Sequence, residues 1–190
     1  MQFPTGLAAG ASLLNRKPVE LAEVVELTIR PGGTEDEAGV LALFDEAIDW
    51  LVPRGLSGQW GEQPFSARPD MRDRVHETLR DNEVRIAEHE RRIVGAVAAG
   101  PCPPYVPGNP VPELYVVLLI SSRRLAGQRI GARLLDLACQ MARERGRRMV
   151  RVDCWADSPR LVTFYEREGF CRHGRFDLRG WRGQILTKSI

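Results

Sequence analysis

Residues 113–145 read ELYVVLLISSRRLAGQRIGARLLDLACQMARER, and the change of pattern inside this stretch decides the fold. Tyr115 to Ile120 is an unbroken apolar run of strand length with several β-branched residues, which favours a buried strand over a short helix. From Ile130 the period changes. Ile130, Leu134, Leu137, Ala138 and Met141 recur at spacings of three and four, the repeat of one helical face. Between the two lies Ser121 to Arg129, polar and basic, with Gly127 inside it and Gly131 in the first helical turn. A strand, a short basic loop and a helix in this order turn a helix N-terminus toward an anion. The first-turn N–H groups have no intrahelical partner, and the macrodipole adds partial positive charge there, so phosphate binds such ends.

Working outward toward the N-terminus, Val25, Leu27 and Ile29 alternate as a half-buried strand does, and Pro31-Gly32-Gly33 is expected to end it. Thr34 followed by Glu37 fits a capping box. Val40, Leu41, Phe44, Ala47, Ile48 and Leu51 then form one helical stripe. Val52 to Pro69 is irregular, and Met71, Val75 and Leu79 predict a second, shorter helix. Val84 and Ile86, a turn at His89 to Arg91, and the apolar run Ile93 to Ala99 predict a β-hairpin. Gly100 to Pro112 is too rich in proline for helix or central strand and reads as a surface loop. Residues 1–23 have no sustained period and are expected to form a loosely packed extension, leaving residues 24–190 as the domain.

Toward the C-terminus, Gly146 closes the helix and Met149 to Cys154 predicts a strand. Pro159 suits the first turn of a helix whose apolar face is Leu161, Phe164 and Tyr165, and Gly169 stops it. Phe170 to Leu178 and Gln184 to Ile190 read as closing strands around a turn at Arg179 to Gly183. The order β-α-α-β-β-β-α-β-α-β-β implies a mixed α/β sheet of about seven strands flanked by about four helices.

The chain has 190 residues, 43% hydrophobic and 27% charged, with a net charge of +2, which suits one soluble domain with a single core. So small a charge implies no general attraction to nucleic acid. Arg143, Arg145, Arg147, Arg148 and Arg151 are interrupted by Glu144 and suit a solvated helix end complementary to the C-terminal dipole. Cys102, Cys139, Cys154 and Cys171 form no C-x-x-C pair, and His76, His89 and His173 are scattered, so neither a metal site nor a disulfide framework is expected. No apolar run approaches membrane-spanning length and no basic leader precedes an apolar block, so a cytoplasmic protein is expected.

Ala126-Gly127-Gln128-Arg129-Ile130-Gly131 stands between the fourth strand and the third helix, and Asp153-Cys154-Trp155-Ala156, Pro159 and Phe164-Tyr165-Glu166-Arg167-Glu168-Gly169-Phe170 follow. With the turn Gly180-Trp181-Arg182-Gly183, this order resembles the GCN5-related N-acetyltransferase (GNAT) superfamily over residues 26–190. The family's pyrophosphate loop is written R/Q-x-x-G-x-G/A. Here only Gly131 fits strictly, with Ala126 in place of Arg or Gln and Arg129 in place of the middle glycine. The F/Y-Y-E-x-x-G-F signature is complete, and Ser158 stands where Asn is usual before the proline.

The resemblance implies a sheet splayed between strands four and five, and acyl transfer from acetyl-CoA or another short acyl-CoA to a primary amine through a tetrahedral intermediate. It implies main-chain contacts to the acyl-CoA from Leu119, Ile120 and Ser121. The loop and helix residues Ala126, Gly127, Gln128, Arg129, Ile130, Gly131 and Ala132, with Ser158, would complete the cofactor site. Tyr165 matches the general acid, since a phenol near pKa 10 stays protonated and can donate to a thiolate. Glu113, near the start of strand four, is the candidate base. Trp50, Trp60 and Tyr105 are candidate walls for a small-molecule or peptide amine. A monomer or homodimer without metal, nucleic acid or membrane is expected. The altered loop also admits a second reading, a CoA-binding regulatory protein without catalysis.

Overall fold

A computed structural model describes residues 25–190; the expected extension over residues 1–23 lies outside them. Among the described residues the chain runs β1 (Thr28–Gly32), α1 (Glu37–Leu51), α2 (Pro69–Asp81), β2 (Glu83–His89), β3 (Arg92–Gly100), β4 (Glu113–Ser121), α3 (Ile130–Glu144), β5 (Met149–Trp155), α4 (Pro159–Arg167), β6 (Cys171–Leu178) and β7 (Trp181–Ser189). The strands form one seven-stranded sheet in the order β1-β2-β3-β4-β5-β7-β6. Only β4 and β5 pair in parallel. A parallel neighbour requires a crossover, and α3 supplies it.

The two faces of the sheet bury different helices. Leu134, Leu135, Ala138 and Met141 of α3 and Val162 and Tyr165 of α4 pack with Val97, Val116, Val150 and Val152. On the other face, Val40, Phe44 and Ile48 of α1 and Val75 and Leu79 of α2 pack with Val84, Ile86, Ala96 and Ala98. Each fully buried aliphatic side chain here contributes roughly 1.5–3 kcal/mol relative to exposure. Gly95 lets the start of α3 settle on β3, because an added Cβ would lie 2.8 Å from Ile130.

Two irregularities position the site. The β3–β4 register shifts between Ala98 and Ala99, leaving Val117 as an extra residue on β4. Val117 and Leu118 consequently both turn toward the α1–α2 face, and the strand bends there. The β4–β5 ladder then stops. It joins Glu113–Val116 to Met149–Val152 and goes no further, although β4 continues to Ser121 and β5 to Trp155. The expected splay between strands four and five is this divergence.

Some local expectations shift. β1 ends within Pro31-Gly32-Gly33 as expected, its last pairs being Pro31 with Arg85 and Gly32 with Val84, but Val25 and Leu27 precede the strand. The Thr34–Glu37 capping box does not form. Instead the Gly33 N–H donates to Asp36 at 3.2 Å, and Arg30 holds the same carboxylate at 2.6 Å, while Glu37 pairs with His76. Trp181 to Gly183 belongs to β7, so the closing turn is only Arg179-Gly180, both with positive φ.

Candidate active site

The splay opens into a cleft of about 1440 Å³ that reaches both faces of the sheet. Val117 to Ser121 wall it on the β4 side, and Val152 to Trp155 on the β5 side. Where the strands part, main-chain groups of β4 are left without a β5 partner, as Leu119, Ile120 and Ser121 require for holding an extended ligand arm.

At one end of the cleft lies the start of α3. Among the described residues no side chain caps this helix. The first helical bond runs from the Arg133 N–H to Arg129, so the N–H groups of Ile130, Gly131 and Ala132 remain available. Ala126, Gly127, Arg129, Ile130, Gly131 and Ala132 all line the cleft. Gln128 does not; its side-chain oxygen accepts from the Val25 N–H at 3.2 Å. Arg129 has φ 56°, the left-handed conformation that a glycine at this loop position adopts without strain. Gly131 lies close under the Phe164 ring: a Cβ there would come within 3.2 Å of it, so the ring would have to shift by a few tenths of an ångström.

The loop before α3 is pinned from α1. Glu46 accepts from the Ser122 hydroxyl at 2.8 Å, from the Arg124 N–H at 3.0 Å, and from the Arg123 N–H. Arg123 then lies over the Trp50 ring at 4.6 Å, with Arg54 also against that ring at 4.2 Å. Burial pushes the Arg123 guanidinium below its ordinary value, and its Nε is buried without a partner. A helix N-terminus that borders the cleft with its first-turn N–H groups open fits a pyrophosphate-bearing ligand such as an acyl-CoA.

On the α3–α4 face, Tyr165 is buried against Phe164 and Phe170, yet it lines the cleft, and among the described residues its hydroxyl has no hydrogen-bond partner. Burial, then the neighbouring Cys154 and Asp153, push its phenol well above the usual value, so it stays protonated. The Cys154 thiol is pushed up to about 12, chiefly by burial. Ser158, buried at the N-cap of α4, also lines the cleft.

The opposite face carries the aromatic candidates. Trp60 packs edge-on against Phe44 at 5.0 Å, Tyr105 lies 5.9 Å from Phe176, and Trp50, Trp60 and Tyr105 all line the cleft. Glu113 does not. It stands at the far end of β4, bonded to the fully buried Arg151 at 2.9 Å and to Asn109 at 3.0 Å. Its carboxylate neutralises a buried cation and has no access to the cleft, which removes it as a base. Asp153, not among the residues that the sequence singles out, also lines the cleft. The Tyr115 hydroxyl donates to its Oδ1 at 2.6 Å, and both side chains lie on the α1–α2 side of β4 and β5. Burial raises the Asp153 carboxyl, while Tyr115, Arg74 and Arg151 pull it down. The available signal was polar Arg151 and Asp153 alternating within a central strand that has no solvent face.

Comparison with known proteins agrees with this geometry. Residues 42–170 match the profile of the Acetyltransferase (GNAT) family. The chain is 28% identical over 146 residues to an uncharacterized N-acetyltransferase, YesJ, of Bacillus subtilis, covering 74% of this chain and 79% of that protein. A GCN5-related N-acetyltransferase from Rhodopseudomonas palustris superposes with a TM-score of 0.65 at 20% identity, covering 88% of this chain and 98% of its own. The PaiA N-acetyltransferase of Thermoplasma acidophilum, solved with coenzyme A, gives 0.66 at 17% identity, covering 87% and 99%. The family match spans most of the chain, so the chain belongs to the acetyltransferase (GNAT) family and is an N-acetyltransferase.

Proposed function

We propose that the protein transfers an acetyl or other short acyl group from acyl-CoA to a primary amine by direct attack on the thioester. The observation that carries this reading is the convergence of three features on one cleft: the unpaired β4 segment, the free N–H groups of α3, and the Tyr165 hydroxyl.

Acyl transfer needs a neutral amine, donors for the oxyanion, and a proton for the departing thiolate. The backbone of Val117 to Ser121 would hold the acyl arm and polarise the carbonyl. The N–H groups of Ile130, Gly131 and Ala132 would hold the pyrophosphate. Tyr165 would donate its proton to sulfur as the C–S bond breaks. Gly127 and Ser158 border the bound ligand, and the aromatic wall of Trp50, Trp60 and Tyr105 shapes the acceptor side.

Calorimetric titration of the protein with acetyl-CoA, free CoA and desulfo-CoA tests this. Micromolar binding of all three, followed by amine-dependent thiol release, is expected. No binding at millimolar ligand would exclude the acyl-CoA reading, and binding without turnover across a broad amine panel would leave a CoA-binding regulator.

A further inference from the structure

Asp153 is the first residue of β5 beyond its last pairing with β4. Its neighbours Val152 and Cys154 point into the α3–α4 core with Tyr165, so Asp153 faces the acceptor side of the opening. One carboxylate oxygen is held by Tyr115, a completely buried side chain, and the other has no side-chain partner among the described residues. Among the described residues, Asp153 and Glu168 are the only carboxylates lining the cleft, and no histidine lines it. Glu168 is paired with Arg129 at the α3 end. The other charged residues of the cleft wall are arginines. Among them Arg74, exposed on α2, makes no ion pair among the described residues, and its charge acts on both Asp153 and Tyr105.

We infer that Asp153 and Arg74 are the two poles of the acceptor site, which takes a small amine that also carries a carboxylate, with Asp153 binding the ammonium and accepting its proton. A polycation would meet the arginines unfavourably, whereas a guanidinium matches a carboxylate in two-pronged geometry. This rests on the acyl-transfer reading above. The ammonium gives one proton to Asp153, which passes it to solvent. The nitrogen lone pair forms the C–N bond and the C–S bond breaks. The proton shed by the new amide nitrogen balances the one Tyr165 gives to sulfur, so amide, thiol and one proton are released.

The groups facing Asp153 are Tyr115 from β4, Arg151 and Cys154 from β5, Arg74 from α2, Tyr105 and Cys102 from the loop, and Tyr165 from α4. Burial outweighs their combined pull, so the acid limb of kcat should lie above the ordinary carboxyl range.

The test is thiol release from acetyl-CoA with matched acceptors: L-phenylalanine against phenethylamine, L-methionine against its decarboxylated amine, and spermidine as the polycation. The amino acids should show kcat/KM at least about tenfold higher. Arg74→Gln, at an exposed helix position, should remove most of that preference by raising KM for the amino acids alone. Asp153→Asn should lower kcat by about 100-fold and abolish the acid limb, and its thermal melt shows that it folds. Equal or better turnover of the decarboxylated amines or spermidine would overturn the inference. So would a preference unaffected by Arg74→Gln, an unchanged pH profile in Asp153→Asn, or no turnover with any acceptor. Acetyl-CoA titration separates the two readings: retained binding confines such failures to the acceptor assignment, whereas its loss in the wild type removes the acyl-CoA reading itself.

Discussion

Tyr165 and Asp153 face the same opening between β4 and β5 from opposite sides of the sheet, Tyr165 with the α3–α4 core and Asp153 with Tyr115. In the proposed reaction Tyr165 would be the proton donor for sulfur and Asp153 the proton acceptor for nitrogen, one on each side. Replacing Tyr165 by Phe keeps the buried ring and removes only the hydroxyl. It should lower kcat by about 100-fold while leaving acetyl-CoA affinity unchanged by calorimetry. A parallel loss of affinity would assign Tyr165 to binding instead.

Asp153 should destabilise the fold that it serves. Its carboxyl is raised by burial, so its folded pKa lies above the unfolded one. Such a group contributes stability below the unfolded value, about 3.9, and that contribution is lost as pH rises through the folded value. Asp153→Asn keeps the volume and an acceptor for Tyr115. At pH 7 it should raise the melting temperature by about 2–4 °C, equivalent to about 1 kcal/mol in a domain of this size, and the gain should vanish near pH 4. Thermal melts at the two pH values check this, and a lower melting temperature at pH 7 would refute it.

Glu113 is a structural partner of Arg151, whose side chain is 1% exposed. Truncation to Ala leaves a buried cation unpaired and should cost about 3–5 kcal/mol, read by urea denaturation. In the protein that remains folded at low temperature, kcat and its pH profile should match the wild type. Loss of the acid limb in Glu113→Ala would restore Glu113 as the base.

Arg129 occupies a left-handed position at the entrance to α3. Glycine relieves that strain and alanine does not, so Arg129→Gly should melt above Arg129→Ala by about 2–4 °C, for a difference of about 1 kcal/mol. The ion pair to Glu168 is lost in both variants, and Arg129 is 71% exposed there, so it does not decide the comparison. An alanine variant as stable as the glycine variant would mean the loop relaxes out of that conformation.

Most of the element order was legible because the period changes are sharp: Tyr115 to Ile120 into Ile130 to Met141, and again around Pro159. That the α3 N-terminus and Tyr165 would share one cleft was legible because their placement depends on local geometry. The site was obscured where a side chain's meaning depends on pairing across the sheet. Asp153 reads as the polar half of an alternating strand, and only the early end of the β4–β5 ladder turns that half toward a cleft. Glu113 reads as a free strand-end acid because Arg151, thirty-eight residues away, cannot be seen as its partner from spacing. The Thr34 cap failed because the helical turn already begins at Thr34, with Gly33 before it donating its N–H to Asp36, which Arg30 of β1 holds.

The most direct measurement is thiol release from acetyl-CoA by the wild-type protein, with and without an amino-acid acceptor, with the product identified by mass. Release that depends on the acceptor and yields its N-acetyl derivative is the predicted result. Release that ignores the acceptor, or no release although acetyl-CoA binds, would contradict the assignment of this cleft as the place of N-acetyl transfer.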